Sequence, residues 1–173
     1  MLNTHKVALM GVLTAATIVI AIIESYIPNV GIPGVKFGLA NIMILVTLFE
    51  LGVGESIFIS IARVIVIGLA RGSIFSMTFL MSLTGAVFSL GIMILFHLII
   101  KKFSIIGISV IGALFHVLGQ IIIAMLFLES AYVLFYLPII ALSAIITGIF
   151  VGVVSMLIIK TGVIKKQRER YNF

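Results

Sequence analysis

Cysteine and aspartate are both absent from this chain, and charged residues of every kind make up only 9% of it. Without thiols there are no disulfides, no thiolate nucleophile and no Cys-ligated metal cluster. Without Asp, the usual carboxylate sets for Mg²⁺ and for P-loop nucleotide sites are missing. The acids that remain are Glu24, Glu50, Glu55, Glu129 and Glu169. A soluble domain carries roughly 25% charged and 45–50% apolar residues. Here 63% of 173 residues are apolar and the mean hydropathy is +1.44, so water cannot solvate the surface and the chain belongs in a membrane. That excludes a soluble enzyme and a nucleic-acid-binding domain. The net charge of +6 reads as orientation in a bilayer rather than affinity for nucleic acid.

A bilayer core takes about 20 apolar residues per helix, with roughly 17–25 tolerated. Runs free of Asp, Glu, Lys and Arg lie at 7–23, 37–49, 72–100, 103–128 and 130–159. The first, from Val7 to Ile23, is long for the apolar part of a signal peptide and reads as a span. The stretch from Phe37 to Ala70 would measure about 50 Å as one helix against a core of about 30 Å, so it should break. Glu50-Leu-Gly-Val-Gly-Glu55 supplies two glycines and two carboxylates for the turn. The expectation is a single all-α transmembrane domain over 1–173, a six-helix bundle with helices near 6–27, 38–52, 54–71, 74–99, 104–128 and 133–159. A basic tail at 160–173 would rest on anionic lipid.

With both termini cytoplasmic, the inside holds Lys6, Lys101, Lys102, Lys160, Lys165, Lys166, Arg168 and Arg170, the outside Lys36 and Arg71. A five-span arrangement scores equally by the positive-inside rule, and helix length favours six. The protein is then a multi-pass protein of the cell membrane. Outside the tail, one segment departs from the apolar composition, Pro28-Asn-Val-Gly-Ile-Pro-Gly-Val-Lys-Phe-Gly38, and it reads as the structured external loop.

Polar groups at membrane depth cost enough to suggest a function. Arg63 falls mid-helix, where insertion costs roughly 2.5–3.5 kcal/mol, and either fixes helix packing or contacts a ligand. Glu24 is a counter-charge for Lys36, Arg71 or Arg63. His116 and Gln120, four apart, share one helix face; interhelical hydrogen bonds and a pocket role both suit them, whereas one His and one Gln make a poor metal site. Asn41 enters the second helix near the outer face. Arg71-Gly-Ser-Ile-Phe-Ser76 offers Ser73 as the N-cap of the fourth helix, and with Arg71 an anion site. The candidate ligand-binding set is therefore Lys36, Asn41, Arg63, Arg71, Ser73, His116 and Gln120, all in the outer half or at the midplane above an apolar inner half. That distribution suits a pocket open to one side, not a channel. Small residues spaced by four, Gly11 with Ala15, Gly68 with Gly72 and Gly148 with Gly152, permit close helix approach. Gly11 and Ala15, in the cytoplasmic half, are candidates for docking a partner.

Pro33-Gly-Val-Lys-Phe-Gly-Leu-Ala-Asn41, Ala62-Arg63-Val64 and Gly112-Ala-Leu-Phe-His-Val-Leu-Gly-Gln120 resemble the Gx transporter family, also labelled heptaprenyl diphosphate synthase component I. The likeness runs over roughly 7–160. That family is similar to the substrate-binding S components of energy-coupling factor (ECF) transporters. The resemblance implies six helices, an outward pocket, a small-residue docking motif matched by Gly11 and Ala15, and a scaffold protein with ATPases as partners beside lipid. It implies capture of a small vitamin-like or isoprenoid- or quinone-related ligand, with no chemistry, cofactor or metal of its own. The synthase label sits badly with a chain that cannot form the Asp-rich diphosphate clamp of chain-elongating prenyl synthases. Two alternatives stand beside it: a non-catalytic membrane subunit of isoprenoid or menaquinone synthesis, and a subunit of a flavin or quinone electron-transfer system.

Overall fold

The long apolar run that ends at Ala70 does bend at its two glycines and carboxylates. Gly52 takes φ +123°, a backbone setting closed to residues with a Cβ, and the amides of Leu51 and Gly52 both return to the Thr47 carbonyl. A computed structural model describes residues 4–26, 38–100 and 103–171. Among the described residues it is all-helical: α1 (Thr4–Tyr26), α2 (Leu39–Glu50), α3 (Val53–Ala70), α4 (Met77–Ile99), α5 (Ile105–Leu128), α6 (Leu137–Thr161) and α7 (Val163–Tyr171), with a 3-10 stretch at Ala131–Tyr136 before α6. Five stretches are long and apolar enough to cross a membrane: α1, α3, α4, α5 and Ala131–Thr161. The sixth apolar helix, α2, has 12 residues and reaches about 18 Å.

Side-chain ties at one end of the bundle fix the direction of every helix. Lys6 at the start of α1 pairs with Glu55 at the start of α3. Phe49 at the end of α2 meets the His97 ring at the end of α4, centroids 4.6 Å apart, and Phe96 meets Phe103 just before α5 at 5.4 Å. Arg168 of α7 donates to the Glu50 carbonyl at 2.8 Å, and His5 stacks on Tyr171 at 3.8 Å. The helices therefore alternate in direction from α1 to α6. Lys6, Lys160, Lys165, Lys166, Arg168 and Arg170 gather at this end, and Arg71 lies at the other.

Packing is closest through α4, α5 and α6. A Cβ built on Gly119 would come within 2.8 Å of the Thr84 carbonyl oxygen, one on Gly148 within 2.8 Å of the Val110 Cα, and one on Gly152 within 2.7 Å of the Ile106 Cα. Lipid gives no hydrophobic drive for helix pairing, so such backbone proximity is what holds these helices together. At the basic end α2 is enclosed by α1, α3 and α6. Ile44, Leu45, Val46 and Leu48 are fully buried there, packed with Ile59, Ile108 and Val151, and the Ser155 hydroxyl of α6 donates to the Ile42 carbonyl at 3.3 Å.

Several sequence expectations shift. The fourth helix starts at Met77 rather than near 74, because Phe75 holds a left-handed φ of +64°; its N-cap is Ser76, whose Oγ accepts from the Phe79 amide at 3.2 Å, and not Ser73. Gly72 lies in the turn after α3 at φ +59°, so it makes no helical pair with Gly68, which instead admits the Phe79 ring. The sixth α-helix begins at Leu137 rather than 133, since Pro138 has no N–H to give the Leu134 carbonyl. Within the basic tail, residues 163–171 form a helix anchored by the buried Ile164. Gly11 and Ala15 face outward, and nothing stands within 4 Å of where a Gly11 Cβ would be.

Gly148→Ala and Gly152→Ala should each overpack the α5–α6 contact and destabilise by about 1–3 kcal/mol, while Gly11→Ala should not. Thermal unfolding in detergent, followed by far-UV circular dichroism, checks this; equal midpoints for all three variants would refute the packing account.

Candidate functional site

A helix of 12 residues cannot fill both halves of a bundle built from helices nearly twice its length. A cavity of ≈ 160 Å³, lined by all six apolar helices, lies beside α2's N-terminus and runs inward to Leu45, Met93 and Ser109. The chain enters α2 through Gly38, at φ +68°. There the Glu24 carboxylate of α1 accepts from two backbone amides, that of Gly38 and, at 3.5 Å, that of Ala40. Helix N-termini carry unsatisfied N–H groups and a partial positive charge, so Glu24 acts as a cap supplied from another helix. It is also the acid whose field reaches the Arg63 cation.

Arg63 is 9% exposed, and its Nη1 donates to the Asn41 Oδ1 at 3.1 Å. A guanidinium has five N–H donors; among the described residues Asn41 is the one hydrogen-bond partner it has, and the rest of the fork borders the cavity. His116 lies with its ring against Gly85 of α4, where a Cβ would come within 3.0 Å of Cε1 and Nε2. Gln120, 8% exposed, lines the cavity one turn further on.

Of the seven sequence candidates, Asn41, Arg63, Arg71, Ser73, His116 and Gln120 border this one cavity. Arg71 is exposed at the mouth, and Ser73 joins it there from the turn rather than from a helix start. Lys36 and residues 28–37 of the external loop lie outside the described residues. Glu24 serves the backbone of α2 instead of pairing with Arg71.

Sequence reading missed a set of hydroxyls. Thr78, Ser82 and Ser89 line the cavity from α4 and Ser109 from α5. The signal was helical spacing: 78, 82, 85, 89 and 93 form one stripe of α4, and 109, 113, 116 and 120 one stripe of α5. Val64, Phe79, Met93, Val117 and Val151 make the apolar walls. The site thus offers one buried cation, two side-chain amides, an imidazole and several hydroxyls in an apolar box. Among the described residues no three His or Glu side chains come together to hold a metal.

A family model for heptaprenyl diphosphate synthase component I matches residues 13–158. The chain belongs to this family. The match to heptaprenyl diphosphate synthase component I takes in every cavity residue named above and leaves out Gly11 and α7. No curated protein and no solved structure matches the chain.

Removing the Glu24 carboxylate should strip α2 of its cap. Glu24→Ala should cost about 1.5–3 kcal/mol, the range for hydrogen bonds to a charged group, and should speed hydrogen exchange at the Gly38 and Ala40 amides above that of amides deep in α2. Unchanged exchange at those two positions would refute the capping role.

Proposed function

We propose that this protein is a membrane subunit that captures a small ligand, the substrate-binding (S) component of an ECF-type importer. The observation that carries the reading is a cavity whose charged lining residues, Glu24, Arg63 and Arg71, lie toward α2's N-terminus, away from the end where the basic residues gather, while its deeper lining is Leu45, Met93, Ser109 and Val151. In this reading the positive-inside rule makes the basic end cytoplasmic, the cavity opens outward, and both chain ends lie inside, with α2 the short sixth element of the bundle. A vitamin-like or isoprenoid- or quinone-related compound would enter past Arg71 and settle on Arg63, Asn41, His116 and Gln120.

Such a subunit carries out no reaction. Its residues bind and orient, and a scaffold protein with ATPases supplies the energy, docking along the outward face of α1 that bears Gly11 and Ala15. Burying an arginine beside an unfilled cavity is costly in a membrane, and a ligand that completes its hydrogen bonds offsets that cost.

A second reading starts from the family's description as a component of a heptaprenyl diphosphate synthase: a non-catalytic membrane subunit working with a soluble partner in isoprenoid or menaquinone synthesis. Reconstitution with candidate soluble synthases separates the two: a rise in product yield with the membrane subunit present supports the second reading alone.

Purification in mild detergent followed by mass spectrometry should find a co-purified small molecule. Arg63→Ala and His116→Ala should lose it, by at least tenfold in occupancy, with a smaller loss of folded yield. A protein that is persistently empty, and whose midpoint is unmoved by vitamins, quinone precursors and prenyl precursors, would refute capture.

A further inference from the structure

Charge and size together narrow the ligand, given the capture reading above. Among the described residues lining the cavity, Arg63 and Arg71 bring two positive charges and Glu24 one negative, a formal +1 with histidine neutral. Glu24 is committed to the amides of Gly38 and Ala40. Arg63 has a neutral partner in Asn41 and unused donors toward the cavity. A buried cation in that condition is strongly penalised unless an anion accepts from its fork, and a planar guanidinium suits two oxygens of one carboxylate-like group. One negative charge would bring the described lining to zero. A diphosphate would bring more than the described lining balances.

Size points the same way. At ≈ 160 Å³ the cavity is close to an engineered hole of about 150 Å³ that holds one benzene, and lies below the roughly 300–1,000 Å³ of pockets for larger ligands. The walls beyond Arg63 are Val64, Phe79, Met93 and Val117, with the Gln120 amide and the Ser89 and Ser109 hydroxyls at intervals. These surround a flat apolar body and reach a few polar substituents.

We propose that the ligand is a compact organic monoanion of about one ring in size, its carboxylate-like group held by the free fork of Arg63 and its body enclosed by the apolar walls, and that long polyprenyl diphosphates are excluded. Equilibrium dialysis and thermal shift of the purified protein with benzoate, phenylacetate, benzamide and geranyl diphosphate test it. At least one ring carboxylate should bind tenfold or more tighter than benzamide and than geranyl diphosphate. Arg63→Gln should abolish that preference, and Arg63→Lys, which keeps the charge but loses the fork, should restore only part of it. Gly11→Ala should leave it unchanged. Equal binding of carboxylate and amide, or tighter binding of the diphosphate, overturns the proposal on wild-type protein alone, even if the Arg63 variants fail to fold. A neutral or polyprenyl compound found co-purified would overturn the monoanion while leaving capture intact. A protein that binds none of the four probes overturns the monoanion, and one that is also empty and unmoved by vitamins, quinone precursors and prenyl precursors overturns capture as well.

Discussion

The structure depends on one constraint: α2 is too short. Twelve residues reach about 18 Å across a core of about 30 Å, so a helix enclosed by its neighbours along its whole length stops with half the bundle still to fill. Its buried side chains Ile44, Leu45, Val46 and Leu48 join Ile59 and Ile108 in one apolar cluster. Its N-terminal end would expose bare amides to an apolar interior, and Glu24 reaches across from α1 to meet them. The cap and the cavity are two consequences of the same shortfall. Asn41, three residues into the helix, is set by that cap at the depth where Arg63 can donate to it.

Polarity is distributed accordingly. The basic end is bound together by Lys6 with Glu55, by Arg168 with the Glu50 carbonyl and by the stacked rings of His5 and Tyr171. Each of these ties lies at helix ends, where water screens and solvates charge. The opposite half carries its polar groups inward, on stripes of α4 and α5 that look into the cavity. Charge is thus exposed at the helix ends, Arg71 and Glu129 included, whereas Arg63 is buried between them.

Much of this was legible from residue types. The glycines and carboxylates between Glu50 and Glu55 announced the break, and the isolation of Arg63, His116 and Gln120 in apolar sequence marked them as inward-facing. The partnership of Arg63 with Asn41 was not legible, since 22 residues separate them and only packing brings α2 to α3. Ser73 and Ser76 are equivalent as cap residues by type; the left-handed backbone at Phe75 decides between them, and no composition signal foretells it. The cavity hydroxyls escaped notice because serine in a membrane helix commonly satisfies itself on its own backbone, as Ser143 does on the Ile140 carbonyl. The helix within the C-terminal basic run was not legible because its contacts, the buried Ile164 and the Tyr171 ring on His5, come from single residues whose role exists only in packing.

The glycine contacts also give the cavity two unlike sides. Where α4, α5 and α6 touch, backbone lies against backbone at Gly119, Gly148 and Gly152, and no side chain can rotate there to yield. Across from them, α1, α2 and α3 are linked by a capping carboxylate, one Arg–Asn bond and ordinary side-chain packing, all of which can re-form after a small displacement. The cavity wall is therefore held in two ways: by backbone contact among α4, α5 and α6, and by side-chain hydrogen bonds among α1, α2 and α3, with Ser155 of α6 joining the two through the Ile42 carbonyl.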